Sequence, residues 1–289
     1  MSHLLCLGLG YSARVLARRL ASEGWQVTGT SRSAGGAARL EAQGFAALVY
    51  DGDAPSQALA RALSVATHIV VSVPPEGDGD PILRHHAGDI AATSTLRWIG
   101  YLSTIGVYGD RAGGWVDETD EPRPETARAR HRLTAERQWQ QVGERSGAVA
   151  QVFRLPGIYG PGRSAIEQLR AGTARRIVKP GQVFNRIHVA DIASVLAAAI
   201  SRGGPAGIFN VADDEPAPGD DVVAYAAGLL GMPPPPAILF EEAVLSEMAR
   251  SFYAESKRVS NRRMKDVVGV VLAYPTYREG LAAIAAEGV

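Results

Sequence analysis

The chain has almost no cysteine, and this limits the chemistry that can hold it together. Its one cysteine, Cys6, lies in the apolar run Leu4–Leu7 and has no second cysteine to pair with. An intramolecular disulfide is therefore excluded, and the composition fits a reducing compartment. We expect a cytoplasmic protein.

An excess of charge of either sign is also missing. Thirty basic and thirty acidic residues give the 289-residue chain a formal net charge of zero. Proteins that bind nucleic acid or an anionic membrane through charge carry a basic excess, so the composition argues against both kinds of partner. A small-molecule substrate is the expected partner instead.

Long apolar runs are missing too. The longest, Ile192–Ile200 and Val267–Leu272, are well short of the roughly 18 residues that span a bilayer, and the N-terminus lacks the basic segment of a secretory signal. His85 and His86 are neighbours on a predicted helix and so point about 100° apart, which is not a metal-ligand spacing. We predict neither a membrane segment nor a metal site.

What the sequence does have is a regular alternation of strand and helix patterns. In the first half, short apolar runs are separated by amphipathic helical patterns, which is typical of βαβ units and a parallel sheet. The predicted strands are Leu4–Leu7, Trp25–Thr30, Phe45–Tyr50, His68–Val73, Trp98–Leu102, Val149–Leu155, Arg186–Val189 and Ile208–Val211. Predicted helices include one that ends at Gly24, one that begins at Asp80-Pro81 and a long polar one over roughly Glu125–Arg145.

This alternation predicts an α/β fold. We expect a Rossmann-like, doubly wound parallel sheet with a smaller, mostly helical C-terminal substrate lobe. The predicted Rossmann domain covers residues 1–155, and residues 186–212 return to it. The predicted substrate lobe covers residues 156–185 and 213–289, and four consecutive prolines, Pro233–Pro236, separate two of its helical segments.

The turn between the first strand and the first helix carries a dinucleotide-binding pattern. Gly8, Gly10 and Ala13 form Gly-x-Gly-x-x-Ala directly after a strand and before an amphipathic helix, which is the context that the pattern requires. Gly8 permits the tight turn, Gly10 lets the backbone approach a pyrophosphate, and Ala13 keeps the helix near the sheet. We predict that the domain binds NAD or NADP here, with Tyr11 and Ser12 in the same turn.

The end of the second strand favours NADP over NAD. An acidic residue there usually binds the ribose 2′-hydroxyl, whereas an arginine suits the 2′-phosphate of NADP. Residues 28–33 contain no carboxylate, and they place Ser31 and Arg32 at this position. The alternative is that Arg32 is a solvated loop residue.

Four later stretches resemble the extended short-chain dehydrogenase/reductase family, which includes nucleotide-sugar epimerases and dehydratases. They are Tyr101–Gly109 (YLSTIGVYG), Phe153–Gly162 (FRLPGIYGPG), Arg186–Asp191 (RIHVAD) and Ile208–Val211 (IFNV). The resemblance covers roughly residues 3 to 215, with the segments in the family's order. It implies an NAD(P)-dependent oxidoreductase or epimerase/dehydratase, and a homodimer formed by two helices that flank the sheet.

The resemblance also implies which residues form the site. Thr104 matches the family's catalytic hydroxyl, with Ser103 beside it as a second candidate, and Tyr108 matches the tyrosine of the Val-Tyr-Gly segment. Asp51 resembles the acidic residue that contacts the adenine ring. The residues expected to line the rest of the cofactor crevice are Ser72, Val73, Pro74 and Pro156.

One departure from the family bears on catalysis. Its members carry a Tyr-x-x-x-Lys pair on the helix after the Val-Tyr-Gly segment, and the matching helix here has Arg128 and Arg132 at those two positions. Arginine stays protonated at ordinary pH, so Arg128 cannot donate a proton as the tyrosine does. Arg132 could still hold the nicotinamide ribose as a cation. The alternative is that both arginines are surface charges, which leaves Tyr108 and His131 as the nearby groups able to exchange a proton.

Two functions remain open at this point. One is an NAD(P)-dependent oxidoreductase or epimerase/dehydratase that acts on a small polar substrate, either a sugar nucleotide or a carbonyl compound. The other is a redox-inactive NADP-binding sensor that kept the cofactor site and lost the catalytic tyrosine. Turnover of bound NADPH would separate the two.

Overall fold

The computed structural model describes residues 2–77 and 79–287, and its centre is a parallel sheet. The described strands are β1 (His3–Leu7), β2 (Gln26–Ser31), β3 (Ala46–Val49), β4 (His68–Val71), β5 (Trp98–Thr104), β6 (Trp115–Val116), β7 (Val149–Leu155), β8 (Gly157–Tyr159), β9 (Arg176–Val178), β10 (Arg186–His188), β11 (Gly207–Asn210), β12 (Ala237–Leu239) and β13 (Arg258–Val259). Seven of them form the central sheet in the order β11-β7-β5-β4-β1-β2-β3. The order reverses between β1 and β4, and ligands bind such sheets beside that point, at the carboxyl ends of the strands.

Helices cover both faces of this sheet. The described α-helices are α1 (Tyr11–Ser22), α2 (Ala34–Glu41), α3 (Gln57–Val65), α4 (Leu83–Ala91), α5 (Ala127–Ser146), α6 (Ala165–Arg170), α7 (Val189–Arg202), α8 (Gly219–Leu229), α9 (Glu247–Phe252) and α10 (Tyr277–Glu287). On one face the apolar sides of α1 and α7 form a core with the sheet, and on the other face α3, α4 and α5 do so. Because both faces are covered, central strands such as β1 are buried at every residue.

Three pairs of short strands and a third core lie outside the central sheet. The pairs are β8 with β10, β9 with β12, and β6 with β13. The third core joins α6, α8 and α10 through side chains such as Ile166, Val222 and Leu281. No helix in the described part of the chain is both long and apolar enough to cross a membrane.

The predicted fold class is confirmed, and each predicted strand is present with bounds that differ by at most two residues. The helix predicted to start at Asp80-Pro81 is present, and α4 begins at Leu83, two residues after Pro81. The Asp80 carboxylate accepts the backbone N–H groups of Ile82 (2.9 Å) and Leu83 (3.2 Å), and the Asp80 carbonyl accepts the Arg84 N–H at 3.0 Å, which are the hydrogen bonds of the predicted N-cap. The division into domains stays a prediction.

His68 makes the stability of the central sheet depend on pH. It is 8% exposed in β4, and burial lowers the pKa of its imidazole from 6.5 to about 4. The folded chain therefore binds fewer protons here than the unfolded chain between these values, and stability is lost as the pH falls. Between pH 6.5 and 5, we expect the parent to lose about 1.5 kcal/mol of unfolding free energy relative to His68→Leu.

Urea denaturation of the parent and of His68→Leu at the two pH values measures this difference. His188 has its pKa lowered to about 4 in the same way and is present in both proteins, so its contribution cancels in the comparison. Parallel pH profiles for the two proteins would contradict the prediction.

Candidate functional site

The turn after β1 has a geometry that only glycine fits at its first position. Gly8 has a left-handed φ of +83°, and a Cβ built on it would lie 3.0 Å from both Ser72 Oγ and Val73 Cγ2. Its N–H donates to Thr30 Oγ1 at 2.8 Å, and the Ser72 hydroxyl donates to its carbonyl. The turn is thus fixed against the ends of both β2 and β4.

The first turn of α1 is open to a ligand. Gly10 is the residue that precedes the helix, and no side chain caps the N–H groups behind it. A Cβ on Gly10 would meet nothing nearer than Ser72 Oγ at 3.9 Å, so the space above the turn is free. Ser12 and Ala13 are buried, so we expect a ligand to contact their backbone N–H groups rather than their side chains. This arrangement fits a pyrophosphate.

Tyr11 brings a second loop to the same turn. Its hydroxyl donates to the Pro161 carbonyl at 3.0 Å, and the Arg163 guanidinium lies 5.8 Å from its ring centre. The loop that follows β8 therefore adjoins the start of α1. Pro156, at the end of β7, is half-buried on the way to this loop.

A cavity of about 420 Å³ opens beside the turn, at the carboxyl ends of β1, β2 and β4. The predicted cofactor residues that line it are Gly8, Gly10, Ser31, Arg32, Asp51, Ser72, Val73 and Pro74. Asp51 is exposed and accepts the N–H of Asp53 at 3.1 Å, which holds the loop after β3 at the edge of the cavity. The fold thus brings these eight predicted residues together around one cavity.

Three arginines line the cavity without a negative partner. They are Arg14 of α1, Arg32 after β2 and Arg39 of α2. None of their side chains has a hydrogen bond or an ion pair to another described residue. Unpaired cations beside an open helix N-terminus fit a ligand with more than one phosphate group. Of these three arginines only Arg32 was predicted from the sequence, although Arg14 directly follows the Gly-rich pattern.

Thr104 is the last residue of β5 and lies at the end of the crevice away from the cavity. It is half-buried, and its Oγ1 accepts the Gly106 N–H at 3.1 Å, which starts the short 3-10 helix Ile105–Tyr108. Since that bond uses a lone pair, the hydroxyl proton stays available for a substrate oxygen.

Ser103 and Tyr108 belong instead to a buried polar network. The Ser103 hydroxyl donates to the Glu136 carboxylate at 2.5 Å, and Glu136 accepts two bonds from the Arg154 guanidinium at 3.1 and 2.8 Å. Arg154 lies 4.7 Å from the Tyr108 ring centre, and the Tyr108 hydroxyl donates to Asn210 at 2.8 Å. Burial also raises the pKa of the Tyr108 phenol. Thr104 is therefore the better placed of the hydroxyl candidates.

Arg132 links the ends of two central strands. Its Nη1 donates to the Leu102 carbonyl at 2.9 Å, to the Tyr101 hydroxyl at 3.1 Å and, more weakly, to the Val73 carbonyl at 3.4 Å. The guanidinium thus lies between β4 and β5 at their carboxyl ends. A cation here suits a role in holding a ribose, as the resemblance implied.

Arg128 is exposed on the first turn of α5, but it has a specific contact. Its guanidinium lies 5.3 Å from the centre of the Phe252 ring, at the end of α9. Position 128 therefore faces a segment of the C-terminal half. His131, one turn further along α5, is half-buried.

A Tyr-x-x-x-Lys spacing does occur elsewhere, at Tyr253 and Lys257, and it is not among the site residues predicted from the sequence. The two residues follow α9 and do not share a helix. The Lys257 ammonium is 2.6 Å from Glu255 and nearly buried, so it is paired within its own loop. The spacing therefore does not reproduce the family's pair.

The two adjacent histidines of α4 have separate surroundings. His86 is buried, with Nδ1 2.7 Å from the Asp89 carboxylate and Nε2 accepting the Ser56 N–H at 3.1 Å. Within residues 2–77 and 79–287, no group of three or more His, Cys, Asp and Glu side chains is placed to hold a metal ion.

Comparisons with known proteins also relate the chain to NAD-dependent epimerases and dehydratases. The family model for NAD dependent epimerase/dehydratase proteins matches residues 88–212. A solved structure of a functionally unknown conserved protein from Silicibacter pomeroyi DSS has 49% sequence identity and a TM-score of 0.90, covering 100% of this chain and 99% of that one.

Two curated proteins are more distant. Protein YeeZ of Escherichia coli strain K12 is 27% identical over 248 residues, which is 81% of this chain and 86% of that protein. A 3-diazoavenalumate denitrifying reductase of Streptomyces is 26% identical over 255 residues, which is 84% of this chain and 70% of that protein.

Two solved complexes share the fold and contain a nicotinamide cofactor. MoeE5 with UDP-glucuronic acid and NAD has a TM-score of 0.77 at 19% identity, covering 99% of this chain and 98% of that one. Human epimerase family protein SDR39U1 with NADPH has a TM-score of 0.73 at 17% identity, covering 99% of each chain.

Proposed function

We propose that the chain is an NADP-dependent oxidoreductase acting on a small carbonyl compound, because the NAD dependent epimerase/dehydratase family model matches its residues 88–212. The observation that carries the cofactor choice is the set of three unpaired arginines, Arg14, Arg32 and Arg39, around the cavity next to the Gly-rich turn. A 2′-phosphate would supply the negative charge that these side chains lack. The reductase among the relatives supports reduction as the reaction type.

The proposed roles follow from the positions of the side chains. When bound, the nicotinamide supplies the hydride. The first turn of α1 would bind the pyrophosphate, Asp51 and the residues after β4 would border the adenine, and Arg132 would hold the nicotinamide ribose. Thr104 would donate a hydrogen bond to the substrate oxygen, which gains negative charge when a carbonyl group is reduced. The proton comes from a group other than position 128, because Arg128 cannot release one.

We place the substrate in the lobe formed by residues 156–185 and 213–289, which borders the Thr104 end of the crevice. The register of the strands supports this placement: Thr104 pairs with Leu155, and Gly157, two residues on, pairs with Arg186. The homodimer and the cytoplasmic location remain predictions from the sequence.

The second candidate is a redox-inactive NADP sensor, and one observation favours it. The resemblance aligns Arg128 with the family's catalytic tyrosine, and the Arg128 guanidinium lies 5.3 Å from the centre of the Phe252 ring, so a cation contacts the C-terminal half where the tyrosine is expected. The oxidoreductase and the sensor would both bind NADP at this site, but only the oxidoreductase would oxidise NADPH when a substrate is present.

Turnover of NADPH tests the proposal. Purified protein is incubated with NADPH and a panel of carbonyl compounds, and absorbance at 340 nm is followed. We expect substrate-dependent NADPH oxidation that falls at least about tenfold in Thr104→Val, which keeps the shape but removes the hydroxyl. Tight NADPH binding without oxidation of any compound would favour the sensor, and absence of NADPH binding would contradict both.

Position 128 can be tested by restoring the family's pair. The double substitution Arg128→Tyr with Arg132→Lys gives α5 a proton donor and a lysine in the family's positions, and we expect it to change the turnover rate of a given substrate by at least about threefold. Steady-state kinetics on parent, each single variant and the double variant measure the effect. Equal rates for parent and double variant would show that position 128 lies outside the active site.

A further inference from the structure

A loop of the C-terminal half reaches the turn at which we place the pyrophosphate. Residues 160–163, which follow β8 and which we call the strap, contact the first residue of α1, because the Tyr11 hydroxyl donates to the Pro161 carbonyl at 3.0 Å. A Cβ on Gly160 would lie 2.6 Å from the Tyr11 hydroxyl oxygen and 2.6 Å from Val189 Cγ1. Glycine at position 160 thus lets the strap approach α1 closely.

Hydrogen bonds within the strap and to α6 define its shape. The N–H groups of Gly160 and Arg163 each donate to the other residue's carbonyl, at 3.1 and 2.9 Å. Both carboxylate oxygens of Glu167 also hold this segment, since one accepts the Gly162 N–H at 2.8 Å and the other accepts the Ser164 hydroxyl. Glu167 lies in α6, which belongs to the third core. The strap is therefore fixed to α6 on one side and to α1 on the other.

Arg163 has no negative partner in this arrangement. Its side chain is exposed and makes no hydrogen bond or ion pair with another described residue, and its guanidinium lies 5.8 Å from the centre of the Tyr11 ring. Glu167 is the acidic residue nearest to it in the sequence, and both oxygens of that carboxylate accept bonds from the segment itself. An aromatic ring and backbone bonds thus position the guanidinium, and its N–H donors are left for a ligand.

Tyr11 lies between cations from the two halves of the chain. Burial raises the pKa of the Tyr11 phenol, and the positive charges of Arg163 and Arg14 partly offset this rise. Arg14 lines the cavity, whereas Arg163 belongs to the strap. Because Tyr11 directly follows Gly10, both cations lie beside the uncapped N–H groups of the first turn of α1.

We propose that Arg163 binds the pyrophosphate of the cofactor and that Tyr11 positions the strap for this contact. The inference rests on the proposed NADP-dependent function and adds a cofactor ligand from the C-terminal half. A pyrophosphate carries two negative charges, and the Gly-rich turn offers it only backbone N–H groups, whereas a guanidinium offers a full positive charge. The pyrophosphate is common to NAD and NADP, so Arg163 contributes to the affinity for both and not to the preference between them.

Fluorescence titration of NADPH and NADH on the parent and on Arg163→Gln tests the contact. We expect the variant to bind both cofactors about tenfold more weakly, with the ratio of the two affinities changed by less than about twofold. The probe 2′-AMP has the 2′-phosphate but no pyrophosphate, and in calorimetry it should bind parent and variant equally. Arg163→Lys keeps the cation and should recover part of the lost affinity, which a merely structural role of the side chain would not predict.

Arg262→Gln is the matched control, because it removes an exposed arginine that lies outside the strap and does not line the cavity. It should change either affinity by less than about twofold. Unchanged affinities in Arg163→Gln, a loss for NADPH alone, or an equal loss for 2′-AMP would overturn the inference and leave the proposed function standing. Absence of NADPH binding by the parent would instead contradict the proposed function, and the inference with it.

The role of Tyr11 is tested through the rate of cofactor release. Tyr11→Phe keeps the ring beside Arg163 and removes the hydroxyl that donates to Pro161. In stopped-flow displacement we expect NADPH and NADH to dissociate severalfold faster from this variant, with the affinity for 2′-AMP unchanged. In the parent, saturating NADPH should slow amide hydrogen exchange in residues 160–169, and saturating 2′-AMP should not. Equal dissociation rates for parent and variant, or equal exchange with the two ligands, would contradict a strap that acts on the pyrophosphate.

Discussion

Replacing Glu136 with glutamine should lower the free energy of unfolding by about 3–5 kcal/mol, because the substitution leaves a buried guanidinium without its counter-charge. Glu136 and Arg154 are both 1% exposed, and two hydrogen bonds join them. Arg154 Nη1 has no partner even in the parent, so no other described group can take over the charge. The Ser103 hydroxyl would also lose an ionised acceptor.

Urea denaturation followed by circular dichroism measures this loss. The matched control is Glu23→Gln, which removes the exposed i,i+4 pair with Arg19 and should change stability by less than about 0.5 kcal/mol. The double substitution Glu136→Leu with Arg154→Met removes both charges and should recover most of the loss, since an apolar pair of similar volume replaces a buried ion pair at little cost. If Glu136→Gln lowers the free energy of unfolding no more than Glu23→Gln does, the network of Ser103, Glu136 and Arg154 does not hold α5 against β5 and β7.

The strands of the central sheet could be predicted because each is a short apolar run that the sheet buries on both faces. β1 is the clearest case, since all five of its residues are buried and the sequence shows a continuous run there. The start of α4 could be predicted only in part. Asp80 followed by proline has the chemistry of a helix start, and its carboxylate accepts N–H groups as an N-cap does, but its second oxygen also accepts the Trp139 N–H at 2.8 Å. That indole lies in α5, and no local pattern indicates it.

Ser103 and Thr104 are adjacent in the sequence motif, and the motif does not identify the hydroxyl that reaches the crevice. Successive strand residues point to opposite faces, so only one of the two hydroxyls can reach the crevice, and the motif does not say which. The structure gives Ser103 a partner on α5, 33 residues away. The same limit applies to the cofactor end, where Arg32 is visible in the sequence but Arg14 and Arg39 join it only through the packing of α1 and α2 beside β2.

The buried network and the crevice share α5, which links stability to the site. Glu136 lies one turn after Arg132, and Arg132 bonds to groups at the ends of β4 and β5. Pairing of Glu136 with Arg154 fixes the same helix against β7. We infer that the ion pair sets the position of Arg132, which we propose holds the ribose, so Glu136→Gln should also weaken NADPH binding in a fluorescence titration.

The parent should bind NADPH about ten- to a hundredfold more tightly than NADH, and the arginines of the cavity should account for this difference. A hydrogen bond to a charged group contributes roughly 1.5–3 kcal/mol, and each 1.4 kcal/mol is tenfold in affinity. Arg32 and Arg39 are exposed and unpaired, so each can turn toward a 2′-phosphate without breaking another contact. Arg32→Ala and Arg39→Ala should each reduce the preference severalfold, and the double variant should nearly abolish it.

Fluorescence titration of NADPH and NADH on the parent and the three variants tests this expectation, and the NADH affinity serves as an internal reference because NADH lacks the 2′-phosphate. Arg61→Ala, an exposed arginine on α3 away from the cavity, is the matched control and should leave the ratio unchanged. The preference should also shrink as salt rises, since exposed charges are screened over about 10 Å at 0.1 M ionic strength. Equal affinities of the parent for the two cofactors, or an unchanged ratio in the double variant, would remove these arginines from the cofactor site.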